Sequence, residues 1–389
     1  MRIVASVLLA GTAMWGAPTW NEVRPVLERR CVQCHQAGEI GPMAFTSYQS
    51  TRPFAKAVRQ AVLRGTMPPW HAAPGALAWR NDRSLTSEEK KLLVAWVEAG
   101  APEGSGAAEI KPAIGDGKWK LGKPDRVVRV PGFAVPKDGV LPYSFLIEPL
   151  HFEKDTWVRA AEFRIDQRSV IHHINAFIRP PGSSYLAGFP KNEIFTPTVA
   201  QRGKRREGER VFERRQLLLG YEPGYEPMPW LEDGAKLIPA GSDVIFEMHY
   251  NPNGTPATDH SELGLYFAPA PPAHRILAID TLRDLDFHIP PQASDFRSHA
   301  VMTLARPARL LSVQPHMHLR GKSMEVKAIY PDGRSAVVLS VPRYDFNWQT
   351  TYVLQKPLDL PAGTRLESVA GFDNSPNNKF NPNPASTVK

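Results

Sequence analysis

Cysteine is scarce: the 389 residues hold only Cys31 and Cys34, so no disulfide framework staples this chain. No apolar run approaches the ~20 residues needed to cross a bilayer, which excludes a polytopic membrane protein and leaves no integral span. With 42% hydrophobic and 22% charged residues the chain is not wholesale disordered. Long helical periodicity is missing after residue 100, while Pro, at 38, stands near twice its usual ~5%. That balance suits many short strands joined by Pro-bearing loops. The net charge is +8, and half of it comes from Gln201–Arg215, with seven basic and three acidic residues. No nucleic-acid reader fold accompanies that run, so it reads as a solvated surface excursion and nucleic acid is not expected as a partner. At roughly 150 residues per domain, two to three domains are expected.

Residues 1–17 (MRIVASVLLAGTAMWGA) carry one Arg, a short apolar stretch and then small residues. This is the outline of a secretory signal peptide, and it predicts an exported, periplasmic or extracellular protein.

Both cysteines lie in Cys31–Val32–Gln33–Cys34–His35, the C-x-x-C-H pattern of covalent c-type haem attachment. Two thiols one helical turn apart add to the two vinyl groups of one porphyrin edge, and the adjoining His then meets the iron. A thioredoxin-like pair or half of a zinc site would not need that His. Around the motif, Thr19-x-x-Glu22 is a capping box for a helix bearing Trp20, Val23 and Leu27, kinked or restarted at Pro25. A second helix is predicted near Pro53–Leu63. A third follows the capping box Thr86-x-x-Glu89, buries Leu92, Leu93, Trp96 and Val97, and stops at Gly100. Three short helices around a haem resemble a small all-α class I cytochrome c over residues 18–105. Met67, in Gly65–Thr66–Met67–Pro68–Pro69–Trp70, is the best placed second axial ligand; Met43 and His71 are its rivals.

A Gly-, Ala-, Pro- and Lys-rich linker is read at 106–123. Beyond it, β-prone runs recur at Val127–Val130, Trp157–Ile165, Ser169–Ile178, Ser242–Tyr250, Glu262–Phe267, Leu310–Val313, Met324–Tyr330, Ala336–Val341 and Thr351–Leu354. Asn253–Gly254 and Asp332–Gly333 are hairpin signals. Antiparallel β-sandwiches are favoured, one at 124–268 and another at 269–389, with the boundary in the Pro-rich stretch Phe267–His274.

Five histidines form short motifs inside apolar runs: His172–His173, His249 before Tyr250, and His316-x-His318. Imidazole among apolar neighbours is costly unless its nitrogens are used. A strand places His316 and His318 on one face, able to grip one ion, whereas adjacent His172 and His173 share an ion only at a bulge or strand end. The set points to metal binding.

In this order the motifs resemble the copper type II, ascorbate-dependent monooxygenases, the peptidylglycine- and dopamine-hydroxylating enzymes. The string Pro315–Lys322 is similar to bacterial members carrying a cytochrome c in front. The resemblance covers about residues 125–389 and implies two tandem jelly-roll sandwiches with a copper ion in each. His172, His173 and His249 would hold the electron-transfer copper. His316 and His318 would hold the catalytic, oxygen-binding one. The implied partners are O2, a small organic substrate and an external electron donor, ascorbate or a redox protein, with the haem feeding the coppers.

The family's second copper takes a Met from a late strand, yet no Met follows Met324. The resemblance therefore implies a fragment lacking its last hairpin, or a copper with two protein ligands. Met317 alternates away from the His pair and Met324 is six residues on, so neither substitutes easily. Gln314 replaces the Arg that grips a peptide carboxylate, which argues against a C-terminal glycine peptide. Glu247 reads equally as a partner of a ligating imidazole or as a solvent-facing residue. The alternatives are a haem/copper electron-transfer or copper-holding protein without hydroxylase activity, and a zinc hydrolase built on the same imidazoles.

Overall fold

The computed structural model describes residues 16–388 apart from 107, 112–116, 205, 210, 280–281 and 285. The signal peptide read at 1–17 falls, but for its last two residues, outside the described residues. The chain divides into two compact units.

The first unit comprises the described residues of Met1–Gln36, Met43–Pro68 and Ser84–Pro112, and its regular elements are helical: α1 (Trp20–Arg30), α2 (Tyr48–Thr51), α3 (Ala55–Arg64) and α4 (Ser87–Glu98). Both expected capping boxes form. The Glu22 carboxylate accepts from the Thr19 N–H at 2.7 Å, and Glu89 from the Thr86 N–H at 3.0 Å. Helix α1 runs unbroken through Pro25, which neither restarts nor ends it. Trp20, Val23 and Leu27 meet Leu93 and Trp96 of α4 in one core with no exposed surface. Each such side chain contributes about 1.5–3 kcal/mol. The core extends past the boundary read at 105: Ile110 is buried, and Trp20 Nε1 donates to the Ala108 carbonyl.

The second unit takes Ala113–Lys389 together with Ala37–Pro42 and Pro69–Arg83. Those two pieces were read as cytochrome, and the correction has a visible cause. Trp79 bridges Leu354 in antiparallel fashion, the Ala73 N–H donates to the Ser340 carbonyl, and Trp70, Leu77 and Trp79 pack on the β core. The far end of the linker is not loose either. The backbone N–H groups of Lys120 and Leu121 both donate to the buried Glu162 carboxylate.

Strands in the first half are β1 (Arg126–Arg129), β2 (Phe133–Val135), β3 (Ser144–Pro149), β4 (Thr156–Arg164), β5 (Ile171–Arg179) and β6 (Ile194–Phe195). They continue with β7 (Gln216–Tyr221), β8 (Gly234–Ile238), β9 (Asp243–Tyr250), β10 (Ala257–Asp259), β11 (Glu262–Phe267) and β12 (His274–Arg275). Two five-stranded sheets, ordered β1-β11-β4-β8-β12 and β6-β3-β9-β5-β7, enclose one core of residues such as Leu146, Phe163, Ile174, Phe246 and Leu263. The second half holds β13 (Phe296–Thr303), β14 (Ala308–Val313), β15 (Gly321–Ile329), β16 (Ser335–Val341), β17 (Tyr352–Leu360) and β18 (Arg365–Phe372). They form a sheet β13-β18-β15-β16 and a pair β14-β17. Both halves belong to one compact unit rather than splitting near residue 268.

All nine β-prone runs are strands. Asp332–Gly333 closes the β15–β16 hairpin, with Gly333 in the left-handed conformation that its turn requires. Asn253–Gly254 closes none, because β10 pairs with β2 and not with β9. The basic run 201–215 is not simply solvated. Arg202 lies over the Tyr143 and Phe145 rings, and Arg215 over Phe177 and Tyr185.

Candidate metal centre

The cysteine motif occupies the turn that ends α1. Cys31 and His35 are tied into it by backbone bonds, Cys31 N–H to Leu27 O at 2.9 Å and His35 N–H to Cys31 O at 3.0 Å. Neither thiol is in a disulfide. Burial, with Cys34 beside it, pushes the Cys31 thiol up to about 12, the opposite of the lowered value on which a thioredoxin-like pair depends. The His35 ring stacks on Phe45 at 4.5 Å, and its Nδ1–H donates to the Met43 carbonyl at 3.1 Å, which makes Nε2 the nitrogen that could ligate an iron. Burial lowers its pKa and favours the neutral, ligating form. These residues fit a covalently attached haem. Of the rivals for the sixth position, the Met43 side chain packs on the helical core together with Cys31, whereas His71 belongs to the second unit. Met67 lies half-buried beyond the left-handed Gly65 that ends α3, and does not join the side chains packed on the helical core.

In the β unit, strands β5 and β9 pair antiparallel with His173 directly opposite His249. Six residues along each strand, Arg179 faces Asp243. The buried guanidinium donates to the Asp243 carboxylate at 3.0 and 2.6 Å, and Lys191 adds a third bond at 3.0 Å. This charged clamp fixes the register. At the other end the ladder slips between Ile171 and His173, so His172 sits in a β-bulge and turns toward its neighbour. The bulge is the irregularity that adjacent histidines need to share an ion.

Three imidazoles therefore converge. Their ring centroids are pairwise 5.3 Å apart, and one nitrogen of each lies within 4.8 Å of the others. Nδ1 of His172 and Nδ1 of His173 are 3.0 Å apart. Nδ1 of His249 is buried without a hydrogen bond, while the backbone of Leu141 holds the ring's other side. An orphaned buried nitrogen costs about 1–3 kcal/mol, and a metal ion removes that cost. Burial and the neighbouring imidazoles drive His173 down to about 3 and His249 to about 4, so both rings are neutral near pH 7, the form that can ligate a metal. Tyr143 stacks on His249 at 4.5 Å with the planes 7° apart.

His316 and His318 lie just beyond β14, in an extended segment rather than on a strand. Strand pairing there is replaced by Tyr344, whose hydroxyl donates to the Met317 carbonyl at 2.8 Å and accepts its N–H at 3.1 Å. Alternation still holds. The two rings stand 5.2 Å apart at 90° on one side, and Met317 is buried on the other, among Ile289, Ala370 and Phe372. Met324 packs between the two neighbouring cores, so neither sulfur joins the pair. His316 Nδ1–H donates to Gln349 Oε1 at 2.7 Å, directing Nε2 outward. Both rings reach solvent.

His172, His173 and His316 line one cavity of about 120 Å³, together with Tyr143, Asn175, Glu222, Glu247, Gln314 and Gln349. Several waters or the reacting end of a small molecule fit there, not a large ligand. Glu247 resolves toward the interior: it accepts from Asn175 Nδ2 at 3.3 Å and has Arg215 at 3.9 Å. Sequence reasoning missed Glu222 and Gln349, which sit in loops after β7 and before β17 with no motif to mark them. No protein-family model matches this chain, and a comparison with curated proteins found no significant match.

Proposed function

We propose that this chain is an exported haem- and copper-dependent monooxygenase that hydroxylates a C–H bond of an organic substrate. In this reading a class I cytochrome c precedes two jelly-roll copper domains. The observation that carries it is the convergence of His172, His173 and His249, with His316 on the wall of the same cavity. Imidazole suits both oxidation states of copper. Copper at the two sites would supply one-electron chemistry and dioxygen activation, and haem would supply the electrons.

The chain's own residues divide the remaining work. The β5–β9 clamp and Tyr143 hold the half-buried trio rigid, which suits electron transfer. Gln349 orients His316 at the open pair, where a small molecule has access. Cys31, Cys34 and His35 would anchor the porphyrin beside α1. A second reading, a haem/copper electron carrier without hydroxylase activity, is favoured by the burial of Met317 and the packing of Met324, which leave the open pair two imidazoles.

Purified protein should bind two copper ions and one covalent haem, and oxygen uptake across a substrate panel should follow copper loading. Two coppers without any oxygen uptake would select the carrier. Zinc in place of copper, with no change on reduction, would reject both readings.

A further inference from the structure

One half-buried acid in the cavity is unused by the proposed metal centres. Glu222 follows the last residue of β7 and opens the turn Glu222–Pro223–Gly224–Tyr225, closed by the Tyr225 N–H on the Glu222 carbonyl at 2.8 Å. Gly224 is left-handed, and a Cβ there would lie 2.5 Å from Arg83 Nη1. The left-handed backbone favours glycine there, and the guanidinium donates to the carbonyls of Pro223 and Gly224. The Thr351 N–H donates to Glu222 Oε1 at 3.0 Å, and the residue lines the cavity shared by His172, His173 and His316.

We propose that Glu222 is the proton donor of this cavity, a carboxylic acid that hands its proton to the oxygen atom released as water. The inference rests on the oxygenase reading. That reaction consumes R–H, O2, two electrons from the external one-electron donor and two protons, and yields R–OH and H2O. The C–H and O–O bonds break, a C–O bond forms, and new O–H bonds must be supplied with protons inside a small enclosed space. Each proton passes through Glu222, whose carboxylate is reprotonated between deliveries by a proton relayed from bulk solvent through cavity water. The Thr351 N–H and the nearby Arg83 charge hold the carboxylate while it lasts.

Charge at the site agrees. Burial raises the Glu222 pKa to about 7, and Arg83 and the Thr351 N–H offset part of that rise. An acid with a pKa near the working pH both holds and releases a proton efficiently. The other ionisable groups acting on it are Tyr344 and Tyr352, whose hydroxyls stay protonated because burial raises both to about 12. Glu247, His172, His173, His316 and Tyr143 share the cavity wall. Glu247 is the contrasting carboxylate, compensated by Asn175 and Arg215.

Infrared spectra of the metal-free full chain test the acid first. The wild-type minus Glu222→Gln difference should show a carboxylic C=O band that disappears with a midpoint near 7. A midpoint near the ordinary ~4.3 overturns the proposal. In the copper-loaded protein, Glu222→Gln should lower turnover about 100-fold or more with copper content unchanged, and Glu222→Asp should restore part of it. Gln keeps the acceptor for Thr351, and where it fails to fold the Asp variant carries both measurements. Wild-type turnover in Glu222→Gln overturns the donor role alone. A band titrating near 7 in a wild-type protein that takes up no oxygen overturns the oxygenase reading, and the donor role with it.

Discussion

The two imidazole groups of the β unit differ in almost every physical respect. The trio is held by paired strands, with its register clamped by Arg179 and Asp243, and His249 keeps a buried nitrogen with no partner. The pair lies on an extended segment held by Tyr344, reaches solvent, and has two imidazoles with Gln349 behind one of them. A half-buried set of three imidazoles on paired strands is the more rigid of the two, whereas the exposed pair leaves room for a ligand. Their chemistry follows from access and ligand number, since the donor atoms are the same.

The largest expected effect removes the clamp under one group only. Asp243→Ala leaves Arg179 buried without its partner and should cost about 3–5 kcal/mol in denaturant unfolding. It should also loosen metal binding at the trio while sparing the pair. Met317→Ala approaches the pair from behind and should cost about 2–5 kcal/mol as a core truncation, with bound copper unchanged. Loss of one copper would instead make Met317 a ligand. His249→Ala should weaken one of the two copper affinities more than about 100-fold by calorimetric titration, and leave the other in place.

Protons should distinguish the trio in the same variant. Folded-state values near 3 and 4 for His173 and His249 lie below the ordinary 6.5, so the unfolded chain binds more protons between them. Stability of the metal-free protein is therefore full above about pH 6.5 and is lost as pH falls toward 4 and 3. His249→Ala should flatten that slope in denaturant titrations at two pH values. Gln349→Ala is the smallest test: it should weaken only the pair, by about 10–100-fold, because it removes a hydrogen bond behind His316 and no ligand.

Much of this was legible in the sequence because it is local. Capping boxes at Thr19 and Thr86, alternation along β9 and the spacing of His316 and His318 each need only a few neighbouring residues. The trio was legible as a set, but its feasibility depended on the bulge at His172, which pairing creates and periodicity does not reveal. Strand β7 escaped notice beside the basic run. Strand β18 was hidden by its Gly371, where a Cβ would come 2.6 Å from Ser323 Oγ. The arginines of 201–215 read as solvated because their aromatic partners Tyr143, Phe177 and Tyr185 lie elsewhere in the chain. Glu222 and Gln349 are ordinary loop residues until the loops meet.

Residues 69–83 carry a practical consequence for anyone dividing this gene. They donate to and accept from the edge of β17, Arg80 N–H to Val353 O at 2.7 Å and Gln355 N–H to Ala78 O at 2.8 Å, and they seat Trp70 and Trp79 against Tyr352. A shortened product beginning at Ala113 would expose an unpaired strand edge and an uncovered aromatic face, the two features that most readily drive proteins out of solution. The histidine-bearing half should be recoverable in soluble form only when those fifteen upstream residues are supplied with it.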